Sequence, residues 1–123
     1  MENIDDAQAI GVWGEETASR YLQSHGWTIL DRNWRCASGE IDILGFDPQR
    51  DALVAVEVKT RRSQRFGIAE ESITTEKLTR IRKTFTAWLY SQHRRASSMA
   101  IDVIALTCHS ADDFRLRHLK GVA

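Results

Sequence analysis

The chain has 123 residues, of which 42% are hydrophobic and 28% are charged, with two cysteines and a formal net charge of zero. This length suits one folded domain with a single core. No apolar run approaches the roughly 20 residues that span a bilayer, and the acidic N-terminus has the wrong sign for a secretory signal. Because the cysteines lack metal-ligand spacing, the sequence predicts a cytoplasmic protein with reduced thiols.

Positive and negative residues are unevenly distributed along the chain. Residues 1–58 carry four Arg and Lys against eleven Asp and Glu, whereas residues 59–95 carry ten against three. This division suits a cation site beside a surface that binds a polyanion. It is equally compatible with two halves that interleave on folding and neutralise each other.

The spacing of apolar residues predicts two helices and five strands in the order α-β-β-β-α-β-β. The predicted helices cover residues 4–25, capped by Asn3, and 75–93, capped by Thr74. The predicted strands cover 27–30 with 33–35 after a bend, 39–46, 52–60, 101–106 and 114–119. Polar, irregular chain is expected at 61–73. The fold class is therefore α/β, a mixed sheet flanked by helices.

Ionic residues interrupt the second and third predicted strands. Side chains alternate between the faces of a strand, so Glu40 and Asp42 share one face of the second strand. By the same rule Glu57 and Lys59 share one face of the third strand. Charged groups on a sheet are costly to bury unless they are paired or bind a metal. These four residues are therefore the first candidates for a functional site.

The register between these two strands decides whether the ionic residues meet. We predict that Asp47 pairs with Ala52, which places Asp42 opposite Glu57 and the other two ionic residues opposite each other. A slip of one residue would put the two carboxylates on opposite faces. The predicted register also gathers five apolar residues on one buried side: Ile41, Ile43, Val54, Val56 and Val58.

Two carboxylates directly opposite each other repel, and a bound divalent cation would remove the repulsion. Asp42, Glu57 and the backbone carbonyl of Val58 are candidate oxygen ligands for Mg²⁺ or Mn²⁺. Such a site leaves coordination positions open for a water and a phosphate, as hydrolysis of a phosphodiester requires. The alternative is that Asp42, Glu57 and Lys59 form a solvated cross-strand ion pair, which would contribute little to stability.

Short motifs lie along the chain: GxxGExxA at 11–18, GEID at 39–42, VEVKTR at 56–61, then Gly67, Lys77 and the pair Asp102-Val103. Together they resemble the YraN-like family of small bacterial proteins over roughly residues 8–106. That family is predicted to belong to the PD-(D/E)XK nuclease superfamily, which includes restriction endonucleases and archaeal Holliday-junction resolvases. The resemblance implies one restriction endonuclease-like domain over residues 1–123.

The resemblance also implies roles for individual residues. Asp42 and Glu57 would be the metal ligands, and Lys59 the lysine of the motif, which orients the attacking water and stabilises developing negative charge. Glu15 would be the helix carboxylate that binds the metal directly or through a water. Glu40 is open: it either orients Lys59 or is solvated.

Two further features of the motifs bear on the site. Gly11 and Gly14 would let the first helix approach the sheet closely and bring Glu15 toward the metal. The family usually has Arg-Phe-Asp-Val in the fourth strand, where this chain reads Ala-Ile-Asp-Val at residues 100–103. The arginine is therefore missing here, and Arg94 or Arg95 would have to compensate.

The expected function is hydrolysis of nucleic-acid phosphodiesters with Mg²⁺ or Mn²⁺. The expected nucleic-acid-binding residues follow the lysine of the motif or lie on the second helix: Arg61, Arg62, Arg65, Lys77, Arg80 and Lys83. Because no base-reading motif is visible, the sequence favours branched or otherwise structured DNA, for which a homodimer would be suitable. The alternatives are a non-catalytic module that binds nucleic acid or a partner protein on the same scaffold, and a small structural protein.

Overall fold

In the computed structural model of the protein, residues 7–62 and 73–122 are described. They form two helices and a five-stranded sheet in the predicted order, so the α/β class is confirmed. The helices are α1 (Ala7–Ser24) and α2 (Thr75–Ser91). The strands are β1 (Thr28–Cys36), β2 (Gly39–Asp47), β3 (Ala52–Arg61), β4 (Met99–Ser110) and β5 (Asp113–Leu119).

The five strands lie side by side in chain order, with each helix on its own face of the sheet. Neighbouring strands are antiparallel except β3 and β4, which are parallel. A parallel pair needs a crossover connection, and α2 lies within that crossover. The α1-side core includes Trp13, Leu22, Ile43, Val54, Val56 and Ile104. The α2-side core includes Ile81, Phe85, Trp88, Ile41, Leu44 and Ala55.

The helix ends follow the expected capping residues where these are described. The hydroxyl of Thr74 accepts a hydrogen bond from the backbone N–H of Lys77 at 3.2 Å, which confirms the predicted cap of α2. This helix ends at Ser91, earlier than predicted, and His93 has a left-handed φ of +52°. Asn3 lies outside the described residues. No helix in the described ranges is both long and apolar enough to cross a bilayer.

Two strands differ from their predicted lengths. β1 is continuous, and a bulge between Ile29 and Asp31 takes the place of the predicted break. β4 extends beyond the predicted 101–106 at both ends because it pairs with β3 on one side and β5 on the other. Hydrogen bonds to the two neighbouring strands satisfy the backbone N–H and C=O groups of polar residues at the ends of β4. The apolar pattern alone does not assign these residues to the strand.

The β2–β3 register is the predicted one. The ladder runs from the pair Asp47 and Ala52 to the pair Ile43 and Val56, which confirms the predicted alignment of the two strands over this range. The prediction that Ile41 and Ile43 share one buried side is wrong, because Ile41 packs in the α2-side core and Ile43 in the α1-side core.

The change of face between Ile41 and Ile43 coincides with an irregularity on the neighbouring strand. These residues pair with Trp34 and Arg32 of β1, and Asn33 between them has a φ of +52°. An extended strand would keep residues two apart on one face. The left-handed backbone at Asn33 interrupts that alternation in β1 at the level of Asp42, which lies between the two isoleucines.

One of the two predicted glycines lets α1 approach the sheet. A Cβ at Gly14 would lie 1.9 Å from the Thr60 side-chain oxygen, closer than any real contact allows. A Cβ at Gly11 would meet nothing within 4 Å, so the predicted role of Gly11 is wrong. The close contact therefore depends on Gly14, the residue before Glu15.

A buried ionic network joins the β2–β3 hairpin to β4 and β5. Asp102 is fully buried, and both of its carboxylate oxygens accept hydrogen bonds from Arg50, at 3.1 and 2.6 Å. His118 Nε2 lies 2.7 Å from the same carboxylate, and the backbone N–H of Gly121 donates to it at 2.9 Å. These hydrogen bonds hold the pKa of Asp102 below its ordinary value despite its burial.

The hydrogen bonds described for the Asp102 carboxylate do not involve Arg94 or Arg95. These two arginines line a pocket with Phe46 and Leu53 at the hairpin end of the sheet, and the guanidinium of Arg94 lies over the Trp88 ring at 5.9 Å. Compensation by these two arginines at a phosphate stays a prediction. Asp102 is the acidic residue of the β4 motif that differs from the family pattern, and it forms a salt bridge with Arg50 of the β2–β3 hairpin.

The two glycines of α1 give a matched test of the helix–sheet contact. We expect Gly14→Ala to lower the free energy of unfolding by about 1–3 kcal/mol, because the new methyl group overlaps Thr60. We expect Gly11→Ala to raise it by about 0.5–1 kcal/mol, because alanine is the better helix former and meets no neighbour. Urea denaturation measures both values, and equal stabilities of the two variants would contradict the close contact.

Candidate functional site

The site lies at the end of the sheet opposite the β2–β3 hairpin. There the carboxylate of Asp42 accepts a hydrogen bond of 2.8 Å from the backbone N–H of Val58. In a continued antiparallel ladder a β3 amide facing β2 would bond to the β2 backbone. Here the side chain of Asp42 supplies the acceptor instead. This contact fixes the Asp42 carboxylate against β3 and places it between the two strands.

Three carboxylates from two elements converge at this point. One oxygen each of Glu15 on α1 and of Glu40 and Asp42 on β2 lie within 4.8 Å of one another. All three side chains are half-buried. The predicted approach of Glu15 to Asp42 is therefore present, and it follows the close contact of Gly14 with β3. Glu40 joins this carboxylate cluster, a role that the sequence left open.

Glu57 lies beside the carboxylate cluster and is paired with Lys59. Its carboxylate is 3.4 Å from the Lys59 ammonium, and the two side chains are 20% and 26% exposed. Glu57 is also the charged group that most strongly raises the pKa of Asp42. The predicted proximity of Asp42 and Glu57 is thus present. The cluster of three converging oxygens, however, contains Glu40 in place of Glu57.

The pKa of Asp42 is raised to about 8. Burial is the largest cause, because it disfavours the charged form. The negative charges of Glu57, Glu15 and Glu40 act in the same direction, and the hydrogen bond from Val58 opposes them. Without a bound cation, this environment therefore favours the protonated form of Asp42. A divalent cation would displace that proton, since ligand carboxylates bind metals in their charged form.

Two glutamates that are neighbours in sequence have different environments. Glu15 belongs to the carboxylate cluster, whereas Glu16 lies 2.9 Å from Arg32 and 3.3 Å from Arg20. The hydrogen bond with Arg32 is the main cause that lowers the pKa of Glu16. Glu16 is thus paired with two cations, while Glu15 faces other carboxylates. Glu40 is intermediate, because its carboxylate also pairs with exposed Arg35 at 3.1 Å.

A pocket of about 310 Å³ opens on the α2 side of the carboxylates. The charged residues that line it come from β2, β3 and α2: Glu40, Glu57, Lys59, Lys77 and Arg80. Carboxylates and cations thus share one concave surface. The positive charge of Lys59 is the largest cause that lowers the pKa of Lys77, so these two lysines lie close together.

The predicted nucleic-acid-binding residues do not all lie at the pocket. Lys77 and Arg80 line the pocket, and strand alternation places Arg61 on the face of Glu57 and Lys59. Arg62 lies on the other face, where its charge acts on Cys108.

The other two predicted residues do not add to the described pocket. Lys83 is exposed on α2 and does not line the pocket, whereas Arg65 lies outside the described residues. Among the described residues, the basic surface therefore includes fewer of the predicted arginines and lysines than the sequence suggested. Those that it includes lie next to the carboxylate cluster.

Comparison with known proteins identifies relatives along nearly the whole chain. The model of the family described as "Uncharacterised protein family UPF0102" matches residues 14–106. A UPF0102 protein of Mycobacterium sp. (strain KMS) is 41% identical over 115 residues, which cover 94% of this chain and 85% of the relative. The UPF0102 protein of Beutenbergia cavernae is 42% identical over 114 residues, covering 93% and 95%. That of Kineococcus radiotolerans is 40% identical over 124 residues, covering 100% of both chains.

The raised pKa of Asp42 predicts a pH dependence of stability. The folded-state pKa of about 8 lies above the ordinary aspartate value of 3.8, so the folded protein binds the extra proton between these values. The free energy of unfolding therefore falls as pH rises toward 8, by up to about 1.4 kcal/mol per pH unit from this group. Asp42→Asn removes this contribution while keeping an oxygen for Val58.

Urea denaturation in EDTA at pH 6 and pH 8 measures the effect. Relative to the wild type, Asp42→Asn is expected to gain stability as the pH is raised. A difference between the two proteins that does not change with pH would show that Asp42 is charged throughout this range.

Proposed function

The chain belongs to the uncharacterised protein family UPF0102, the YraN family to which its motifs point, and we propose that it is a nuclease dependent on Mg²⁺ or Mn²⁺. One observation carries the proposal: carboxylates from α1 and β2 converge within 4.8 Å beside a pocket lined by lysines and an arginine. Hydrolysis of a phosphodiester needs a cation site and a phosphate site next to each other. The carboxylate cluster would supply the cation site, and the lysines and the arginine of the pocket would supply the phosphate site.

The chemistry of the donor set fits a hard divalent cation. Carboxylate oxygens are the ligands that Mg²⁺ and Mn²⁺ prefer, and Glu15, Glu40 and Asp42 supply them from two elements. Glu57, Glu15 and Glu40 each disfavour a negative charge on Asp42, which is unfavourable unless a proton or a cation balances it. When bound, the metal would polarise the scissile phosphate and lower the pKa of a coordinated water.

Asp42 would be the central ligand, because its hydrogen bond with Val58 holds the carboxylate in place. In an extended strand the N–H and C=O of one residue point to the same side, so the Val58 carbonyl faces the same gap and remains a candidate ligand. Glu15 and Glu40 would complete the site from either side. Glu57, adjacent to Asp42, would bind the metal once it releases Lys59.

Lys59 would contact the reacting phosphate. Its ammonium pairs with Glu57 at 3.4 Å and is only partly exposed, so the lysine is held at the boundary between carboxylates and pocket. From there it would orient the attacking water and stabilise the negative charge that develops on the phosphate. Such a preorganised donor contributes most in a site from which water is largely excluded.

The substrate would be nucleic acid recognised through its backbone. The cations near the site are lysines and arginines on α2 and β3, and contacts of this kind bind phosphates without reading sequence. This supports structured DNA, such as junctions or flaps, as the substrate class. The carboxylates repel phosphates, so binding depends on the metal as well as on these cations.

Neighbouring glutamates on α1 provide a matched test of the metal site. We expect Glu15→Gln to weaken Mn²⁺ binding, measured by isothermal titration calorimetry, by about tenfold or more, because a ligand loses its charge. Glu16→Gln should change the affinity by less than about twofold, because that side chain pairs with Arg20 and Arg32. Equal effects of the two substitutions would place the metal elsewhere.

Cleavage is tested with a panel of junction, flap, nicked and linear DNAs in Mg²⁺ or Mn²⁺. We expect cleavage by the wild type and a loss of about 100-fold or more in Lys59→Met, because the developing charge loses its donor. Asp42→Asn, purified in the same way, controls for contaminating nucleases. Activity that is equal in all three proteins would be a contaminant, and binding without cleavage would favour a non-catalytic module on the same scaffold.

A further inference from the structure

The pocket beside the carboxylate cluster is built by one face of α2. Lys77, Arg80, Ile81 and Thr84 line it, and their spacing of three, four and seven residues is that of a single helix face. Lys59 reaches the same pocket from β3. Three cations therefore surround one concavity. Arg82, on the same helix, faces a different pocket with Met99 and Ile101.

Three of the residues that line the pocket are small and uncharged: Ser38, Gly39 and Thr84. Gly39 has a φ of +148°, and an added Cβ would lie 3.2 Å from the Thr84 hydroxyl. That hydroxyl donates to the backbone carbonyl of Arg80 at 2.8 Å and lies 3.3 Å from the Ser38 hydroxyl. The two hydroxyl groups thus satisfy each other and the helix backbone, so the charged groups of the lining are the ones that face a ligand: Lys59, Lys77 and Arg80, with Glu40 and Glu57 beside them.

Lys59 and Lys77 line the same pocket, one from β3 and the other from α2. Two ammonium groups at close range repel, and their repulsion is reduced when an anion lies between them. Glu57 offsets part of the charge of Lys59 at 3.4 Å, but the proposed metal would draw this carboxylate away. A phosphate has several oxygens and can accept hydrogen bonds from both lysines at once.

We propose that this pocket is a phosphate subsite in which Lys59 and Lys77 bind the same backbone phosphate of a nucleic-acid strand, with Arg80 at the same site. The inference rests on the proposed function and deepens it. Lys77 becomes a residue of the reaction site and is distinguished from the general basic surface of α2. A volume of about 310 Å³ is at the lower end for ligand sites and suits one phosphate with its sugar.

The test measures binding of a short fluorescein-labelled oligothymidylate by fluorescence anisotropy, with Ca²⁺ in place of Mg²⁺ so that cleavage plays no part in the readout. Lys77→Met should weaken binding by about tenfold or more, the effect of losing a charge-assisted hydrogen bond. Arg82→Met, which removes a positive charge from the same helix outside this pocket, should weaken it by less than about threefold. Lys77→Arg should retain binding within about threefold and exclude misfolding as the cause.

A double-mutant cycle tests whether the two lysines share one phosphate. Lys59→Met combined with Lys77→Met should weaken binding clearly less than the product of the single effects, because the second substitution removes a contact already lost. Multiplicative effects, or equal losses in Lys77→Met and Arg82→Met, would overturn the subsite. Coupled lysines in a protein that never cleaves DNA would retain the subsite and reject the nuclease. Cleavage of DNA combined with multiplicative effects of the two substitutions would retain the nuclease and reject the shared phosphate subsite.

Discussion

The hydrogen bond between the Asp42 carboxylate and the Val58 amide is the constraint on which the site depends. It replaces a backbone contact at the end of the β2–β3 ladder, so an acidic side chain is fixed where the sheet would otherwise continue. Glu15 can reach this carboxylate because α1 packs closely against β3 through Gly14. Glu57 and Lys59 lie beside it because they alternate with Val58 along β3. The Asp42 carboxylate is therefore the fixed point around which the other charged residues of the site lie.

Asp102 and Asp42 lie in opposite electrostatic environments. Asp102 is fully buried, but Arg50 and His118 contact it directly, and its pKa is lowered. Asp42 is surrounded by other carboxylates, and its pKa is raised. The first arrangement is typical of a structural ion pair, since charge and counter-charge come from the chain itself. The second leaves a charge imbalance that only a proton or an external cation can balance.

Most of the fold and part of the site could be predicted from the sequence. The short hairpin fixed the pairing of Asp47 with Ala52, and strand alternation then brought Asp42 and Glu57 together. The role of Gly14 could also have been separated from that of Gly11. Gly14 is four residues from buried Ile10 and shares its face, whereas Gly11 is adjacent to Ile10 and does not.

Other features depend on contacts that no local pattern encodes. Arg50 and Asp102 are 52 residues apart and meet only when the hairpin packs beside β4. Glu40 belongs to the carboxylate cluster only because α1 brings Glu15 close to β2. The sequence of β2 alone does not determine that distance. The change of face at Ile41 occurs beside a left-handed backbone at Asn33. Asparagine tolerates that conformation better than most residues, but it does not require it.

The contact between Gly14 and Thr60 restricts how the family can diverge. Both residues lie in the range that the family model matches, and the missing side chain of one makes room for the hydroxyl of the other. A larger residue at position 14 would be tolerated only with a smaller one at position 60, or with an outward shift of α1 that carries Glu15 away from Asp42. Substitutions at these two positions are therefore expected to be coupled, although neither residue carries a charge.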